Sequence, residues 1–309
     1  MDERQLPFGP PSHRRRRDPT APSGFGPAPG DISMAISLSR WSLYSDWRRY
    51  PQLLMGSAIL TGVGLFLSHV WNLPEKGLVS VFLAAAALAT WFRQLLDENR
   101  DAIWHLQVPS RTANTRTGLS VLAMFMGIFT AFGIGAAFIG EDQVQEGFRF
   151  IFASAGVEHG TILTRQFANF GGVLGHNALV MLAFFCLAFV YHSYGALLTL
   201  AWNGCAWALV LVVLVMRGAA ASDVSPPLFI AVAIAAVLPH LILEAAAYVS
   251  ATLASVFLSR AMFKYGIIDP RTKQVAWACV KLLLAAVVAL VLAAAVESTL
   301  PAAVLSTLG

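Results

Sequence analysis

The chain has 309 residues, of which 57% are hydrophobic and 12% charged, with a net charge of +4 and a mean hydropathy of +0.66. A water-soluble domain carries roughly a quarter of its residues as charges, so this composition excludes a soluble enzyme. It points to an all-α polytopic transmembrane helical bundle with one membrane domain and a short tail.

Residues 1–33 are rich in Pro, Gly and Arg and nearly free of aliphatic side chains. Such a segment cannot bury enough apolar surface to fold, so a disordered cytoplasmic tail is expected. The run Arg14 to Arg17 has the chemistry to meet anionic lipid or nucleic acid. The simpler reading is a solubilising tail that fixes orientation, and no nucleic-acid partner is expected. No apolar run with a small-residue cleavage site follows closely enough for a signal peptide. From Met34 to Tyr50, Trp41, Tyr44 and Trp47 are interleaved with Arg40, Arg48 and Arg49, which suits a short helix in the headgroup layer.

Seven apolar segments follow, at about 52–71, 75–92, 118–139, 172–193, 196–216, 226–260 and 274–297, each set against the roughly 20 residues that span a bilayer. The domain plan is thus a tail (1–33), an interfacial helix with an N-terminal helical hairpin (34–117), and a core membrane domain (118–301). Arg93, Arg100, Arg111 and Arg116 fall after the second segment, and Arg260, Lys264, Arg271 and Lys273 after the sixth. The alternate loops hold Lys76, Arg149, Arg165 and Arg217. Because Lys and Arg stay with cytoplasmic loops, the N-terminus is expected inside and the C-terminus outside.

The sixth segment is longer than one span requires and contains Pro239, which removes a backbone donor and crowds the preceding turn. A helix broken at Pro239 is expected there. The stretch 141–171 is too apolar at Phe148, Phe150, Ile151 and Phe152 for a free loop and too polar at Glu158, His159 and Arg165 for a span. One or two helices lying on the outer bilayer surface are expected, as a docking surface for a partner. Small residues such as Gly62, Gly64, Gly133, Gly135, Gly171 and Gly175 permit close helix approach, chiefly within the chain.

The polar residues inside apolar segments are the candidate site: His176 and Asn177 on the fourth, Asn203 on the fifth, His240 and Glu244 on the sixth, and Glu297 at the end of the seventh. Asn169, His192 and Lys281 complete the set. His240 and Glu244 are four apart, which places them on one helix face where they can hydrogen-bond, with Asn203 or His176 in reach across the bundle. Three readings fit this pattern. One is a buried hydrogen-bond network that pins a broken helix. Another is a proton or ion relay, since ionisable groups in membranes are functional by default. The third is a metal site, for which a third and fourth ligand are not evident. No GxxxxGK[ST], HExxH, GxSxG or CxxC pattern occurs, so neither enzymatic chemistry nor a cofactor is expected.

The succession Phe167-Ala168-Asn169 with Asn177, then Trp202-Asn203-Gly204, then Leu238-Pro239-His240 with Glu244-Ala245, and last Ala293 to Glu297 with Pro301 resembles the stage II sporulation protein M family. The resemblance covers about 119–301; Leu241 stands where that family has glycine after Pro-His, and Trp202 where tyrosine is common. It implies an inner-membrane protein of bacteria with five core helices, without catalytic chemistry of its own, that holds envelope-acting partners at the membrane. The expectation is therefore a non-enzymatic, multi-pass scaffold in the bilayer with protein partners and a possible homo-oligomeric form. The alternative is a proton- or ion-coupled transporter or channel using His240 and Glu244.

Overall fold

A computed structural model describes residues 47–71, 75–154 and 170–305. The tail expected over 1–33, most of the interfacial helix expected over 34–50, and Asn169 lie outside the described residues. The described chain is all-α. Long helices α1 (Arg49–Val70), α2 (Lys76–Trp104) and α3 (Ser110–Ile139) are followed by the short α4 (Glu141–Gly147) and α5 (Arg149–Ser154). Then come α6 (Phe170–Ala221), α7 (Pro226–Tyr265), α8 (Pro270–Glu297) and the short α9 (Leu300–Leu305).

Six of these helices are long and apolar enough to cross a membrane. In hydrocarbon every backbone N–H and C=O must be paired within the chain, and the α-helix does this inside each segment. Local chemistry sets the ends. Asp269 caps α8 by accepting from the Arg271 amide at 2.7 Å, with Pro270 in the first turn. Gly140 (φ +89°) and Gly266 (φ +84°) end α3 and α7 in the left-handed region that favours glycine.

The 52-residue α6 is two helices joined at His192, whose φ of +52° and ψ of −128° are not helical. A Cβ built on Gly195 would lie 2.1 Å from the Leu187 carbonyl oxygen. Residues eight apart on a continuous helix are separated by about 12 Å, so the chain folds back sharply there. The halves 170–191 and 193–221 correspond to the fourth and fifth expected segments. Helix α7 differs from expectation: it runs as one α-helix from Pro226 to Tyr265 with Pro239 inside it. Proline forfeits one hydrogen bond, whereas dividing the helix in lipid would free several backbone groups at once. The break expected at Pro239 is therefore absent, while the reversal at His192 falls at the boundary expected between the fourth and fifth segments.

Helix α1 is held between its neighbours by small residues. Ser68 and Ser80 share a hydrogen bond at 2.7 Å across the α1–α2 hairpin, and Gly64 packs on Leu83 and Ala84. On the other side, Gly127 of α3 meets Ser57 and Leu54 of α1 with no room for a Cβ. Gly62 and Gly175, by contrast, face open space. The main core joins Leu88, Phe92, Phe125, Ile128, Leu200 and Leu209, among others, from α2, α3 and the second half of α6, and extends to Val249 and Leu253 of α7. A smaller cluster joins Phe184, Tyr248, Ala286 and Leu290 of α6, α7 and α8.

The short helices α4 and α5 belong to that main core. Val144, Phe148, Ile151 and Phe152 are all buried in it, Phe148 meets Phe132 edge-on at 6.5 Å, and Phe150 meets Trp202 at 5.7 Å. Arg217 bonds Glu141 at 2.5 Å and ties this segment to the end of α6. The part of 141–171 that is described is therefore folded into the bundle end, where sequence suggested helices resting on the bilayer. Its aromatic residues bury more area against α2, α3 and α6 than a flat interface offers.

Candidate functional site

The expected polar residues are placed unequally. His240 and Glu244 of α7 are each 5% exposed, Asn203 is 7% and Asn177 is 8%, whereas Glu297 is half-buried and His176 is exposed. The network expected from them does not form as one unit. No hydrogen bond joins Asn203 to His240 or Glu244 among the described residues, and Asn203 Nδ2 and His240 Nδ1 have no hydrogen-bond partner there. Glu244 pairs one turn further along its own helix, with the Tyr248 hydroxyl, and Glu297 lies within electrostatic reach of both. Tyr248 in turn packs on Trp207 at 5.9 Å and on Phe184 at 5.3 Å.

The cluster the structure builds is thus Glu244, Tyr248 and Glu297. Tyr248 was not singled out from sequence, although its spacing of four from Glu244 was visible. No Lys or Arg forms a salt bridge with either carboxyl among the described residues. No group of three or more His, Cys, Asp or Glu side chains among the described residues has the proximity to hold a metal ion.

A second arrangement lies at the opposite end of the bundle. Arg49 bonds Glu98 at 2.6 Å, joining the start of α1 to the end of α2. Arg260 bonds Asp97 at 2.5 Å, joining the end of α7 to α2, and Arg100 pairs with Asp97 and Asp101. Asn99, buried in α2, donates to Thr117 at 2.9 Å and to Asn114 at 3.1 Å of α3. Beside these contacts lies a partly open cavity of about 920 Å³ between α2, α3, the His192 break, α7 and α8. From sequence its arginines served only as topological markers. Their convergence depends on helices far apart in the chain.

The break itself is held from α7. Ser259 donates to the Phe189 carbonyl at 2.7 Å or shares its hydroxyl proton with His192 Nδ1 at 2.8 Å, and Phe263 meets the His192 ring edge-on at 4.9 Å. Ser259→Ala is expected to lower stability by about 1–2 kcal/mol, the scale of a side-chain hydrogen bond in a membrane bundle. The unfolding midpoint in detergent checks this; a midpoint unchanged from wild type would show the break is fixed by packing alone.

The fold and its surface define an integral, multi-pass, all-α membrane protein. No family model matches the sequence, and no curated protein or solved structure matches it.

Proposed function

We propose that this chain is a non-enzymatic scaffold of the stage II sporulation protein M type, in a bacterial inner membrane with its N-terminus cytoplasmic, that holds an envelope-associated complex. The carrying observation is the segment after α3. Its short helices are locked into the main core through Val144, Phe148, Ile151 and Phe152 and tied to α6 by Arg217 and Glu141. A loop that folds into the bundle end supplies a fixed base for a partner, which a free loop does not. The positive charge at the opposite end supports an outward orientation of this base.

Affinity purification of the tagged chain from native membranes, with mass spectrometry of what accompanies it, tests the reading. A recurrent partner at comparable amount is expected, and its recovery is expected to fall severalfold in Arg217→Gln, which loosens the base but leaves the spans intact. A preparation that always contains this chain alone would end the proposal.

A second reading, a proton- or ion-coupled transporter, is favoured by the Glu244, Tyr248 and Glu297 cluster on and beside the helix that contains Pro239. Two carboxyl groups near one another in an apolar surrounding, with no arginine or lysine between them, suit reversible uptake of a proton or cation. It predicts pH-dependent flux into liposomes that falls at least tenfold in Glu244→Gln while the protein remains folded. Equal flux in wild type and variant would remove it.

A further inference from the structure

Several features of the cavity at the basic end have no part in the scaffold reading. It takes basic side chains from two helices, Arg93 and Arg100 of α2 and Arg260 and Lys264 of α7, and no acidic residue lines it. Arg100 and Arg260 are neutralised at its rim by Asp97 and Asp101. Arg93 and Lys264 have no carboxylate partner among the described residues. The Arg93 guanidinium lies over the Tyr194 ring at 4.7 Å, and the Lys264 ammonium over the Tyr265 ring at 5.6 Å. Aromatic faces steady a cation without cancelling its charge. Two uncompensated positive charges thus remain at one cavity.

The same cavity extends into apolar walls. Leu96 is 2% exposed and Cys279 likewise, and Phe257, Val275 and Ala278 also line it. Its volume is many times that of an inorganic phosphate, and falls in the range that takes a small organic ligand, roughly 300–1,000 Å³. A cationic mouth leading to an apolar interior, at the end of a membrane bundle, matches a molecule with an anionic head and a hydrocarbon tail.

Backbone strain marks the same place. Among the described residues two that are not glycine have positive φ, Gln107 at +54° and His192 at +52°, and both line this cavity. Such conformations are costly and persist where the surrounding structure holds them, often at binding sites. One is set by the connection between α2 and α3, the other by the break in α6. Their convergence on one cavity is independent of its charge.

We propose that this cavity binds the phosphate head of an anionic lipid, with Arg93 and Lys264 on the phosphate and the lipid chain against Leu96, Phe257 and Val275. Arginine and lysine are the side chains that phosphate selects, through charge-assisted hydrogen bonds. The proposal is independent of the scaffold reading, because no partner enters its test.

The full chain, purified in mild detergent, is titrated with phosphatidic acid, with phosphatidylcholine of the same acyl chains, and with inorganic phosphate, and bound lipid is counted by native mass spectrometry. Phosphatidic acid is expected to bind at least tenfold tighter than phosphatidylcholine, and to weaken about tenfold in the Arg93→Gln/Lys264→Gln variant. Arg111→Gln/Lys273→Gln removes the same charge from the same end outside the cavity lining, and is expected to bind as wild type. Equal retention of the two lipids, or equal weakening in both double variants, would leave general surface attraction and overturn the site. Full displacement by millimolar inorganic phosphate would show a free-phosphate site, and would overturn the lipid as ligand. If the cavity variant fails to fold, Lys264→Gln alone decides, with a severalfold loss expected and wild-type binding counting against the proposal.

Discussion

Gly127→Val is expected to separate α1 from α3 and to destabilise the bundle by about 3 kcal/mol or more, at the upper end for overpacking a tight contact. A Cβ on Gly127 would sit 2.1 Å from Ser57 Oγ, 2.2 Å from the Leu54 carbonyl oxygen and 3.0 Å from the Ala58 amide nitrogen. Two of those three atoms belong to the backbone of α1, so no rotamer change relieves the clash; the helix itself must move. Small residues are the means by which helices in lipid approach, where apolar surface gives no preference for helix over lipid. The unfolding midpoint in detergent reads the effect, and Gly62→Val serves as the comparison because nothing lies within 4 Å of a Cβ there. Similar midpoints for the two variants would contradict the assigned contact.

Phe148→Ala is expected to cost about 3–5 kcal/mol, the range for deleting a buried aromatic side chain. Phe148 is 1% exposed, meets Phe132 of α3, and lies against Gly77 at the start of α2. Its loss opens a cavity where the short helices join the spans. Hydrogen exchange over 141–154 is expected to accelerate before exchange in the long helices, because Phe148 sits at the junction of α4 and α5 and its loss loosens both where they meet α2 and α3. Under the scaffold reading partner recovery falls with it. Exchange in 141–154 as slow as in wild type would show that the Arg217–Glu141 pair suffices, and that the aromatic packing adds little.

The spans were legible because their signal is local. An apolar run near 20 residues long predicts a crossing from its own composition, and helices α1, α2, α3 and α8 fall where such runs predicted. The short segment at 75–92 becomes a helix extending to Trp104, since its amphipathic continuation through Asp97 and Asn99 packs at the basic end. Pro239 illustrates the opposite case. A proline is the strongest local breaker, yet α7 passes through it, while α6 reverses at His192, beside the boundary between two apolar runs, with a sharpness that run lengths do not give. The reversal there depends on Gly195 approaching Leu187 and on Ser259 of α7 meeting His192 and Phe189.

The candidate residues divide in the same way. That Glu244 and His240 are buried was predictable from their place in an apolar run, and burial is what both have. Their partners were not predictable, because hydrogen bonding depends on side-chain direction and helix rotation. Glu244 takes Tyr248, and Asn203 is not joined to it.

By itself the sequence determined that this is an all-α membrane protein, where its long spans fall, and which end of the bundle gathers positive charge, because hydropathy and charge act residue by residue along the chain. Tertiary structure alone decided which glycine is a contact, that the segment after α3 belongs to the core, and that arginines and lysine from α2 and α7 face one cavity. Those outcomes rest on the rotation and tilt of packed helices, which depend on all the neighbours of a residue at once.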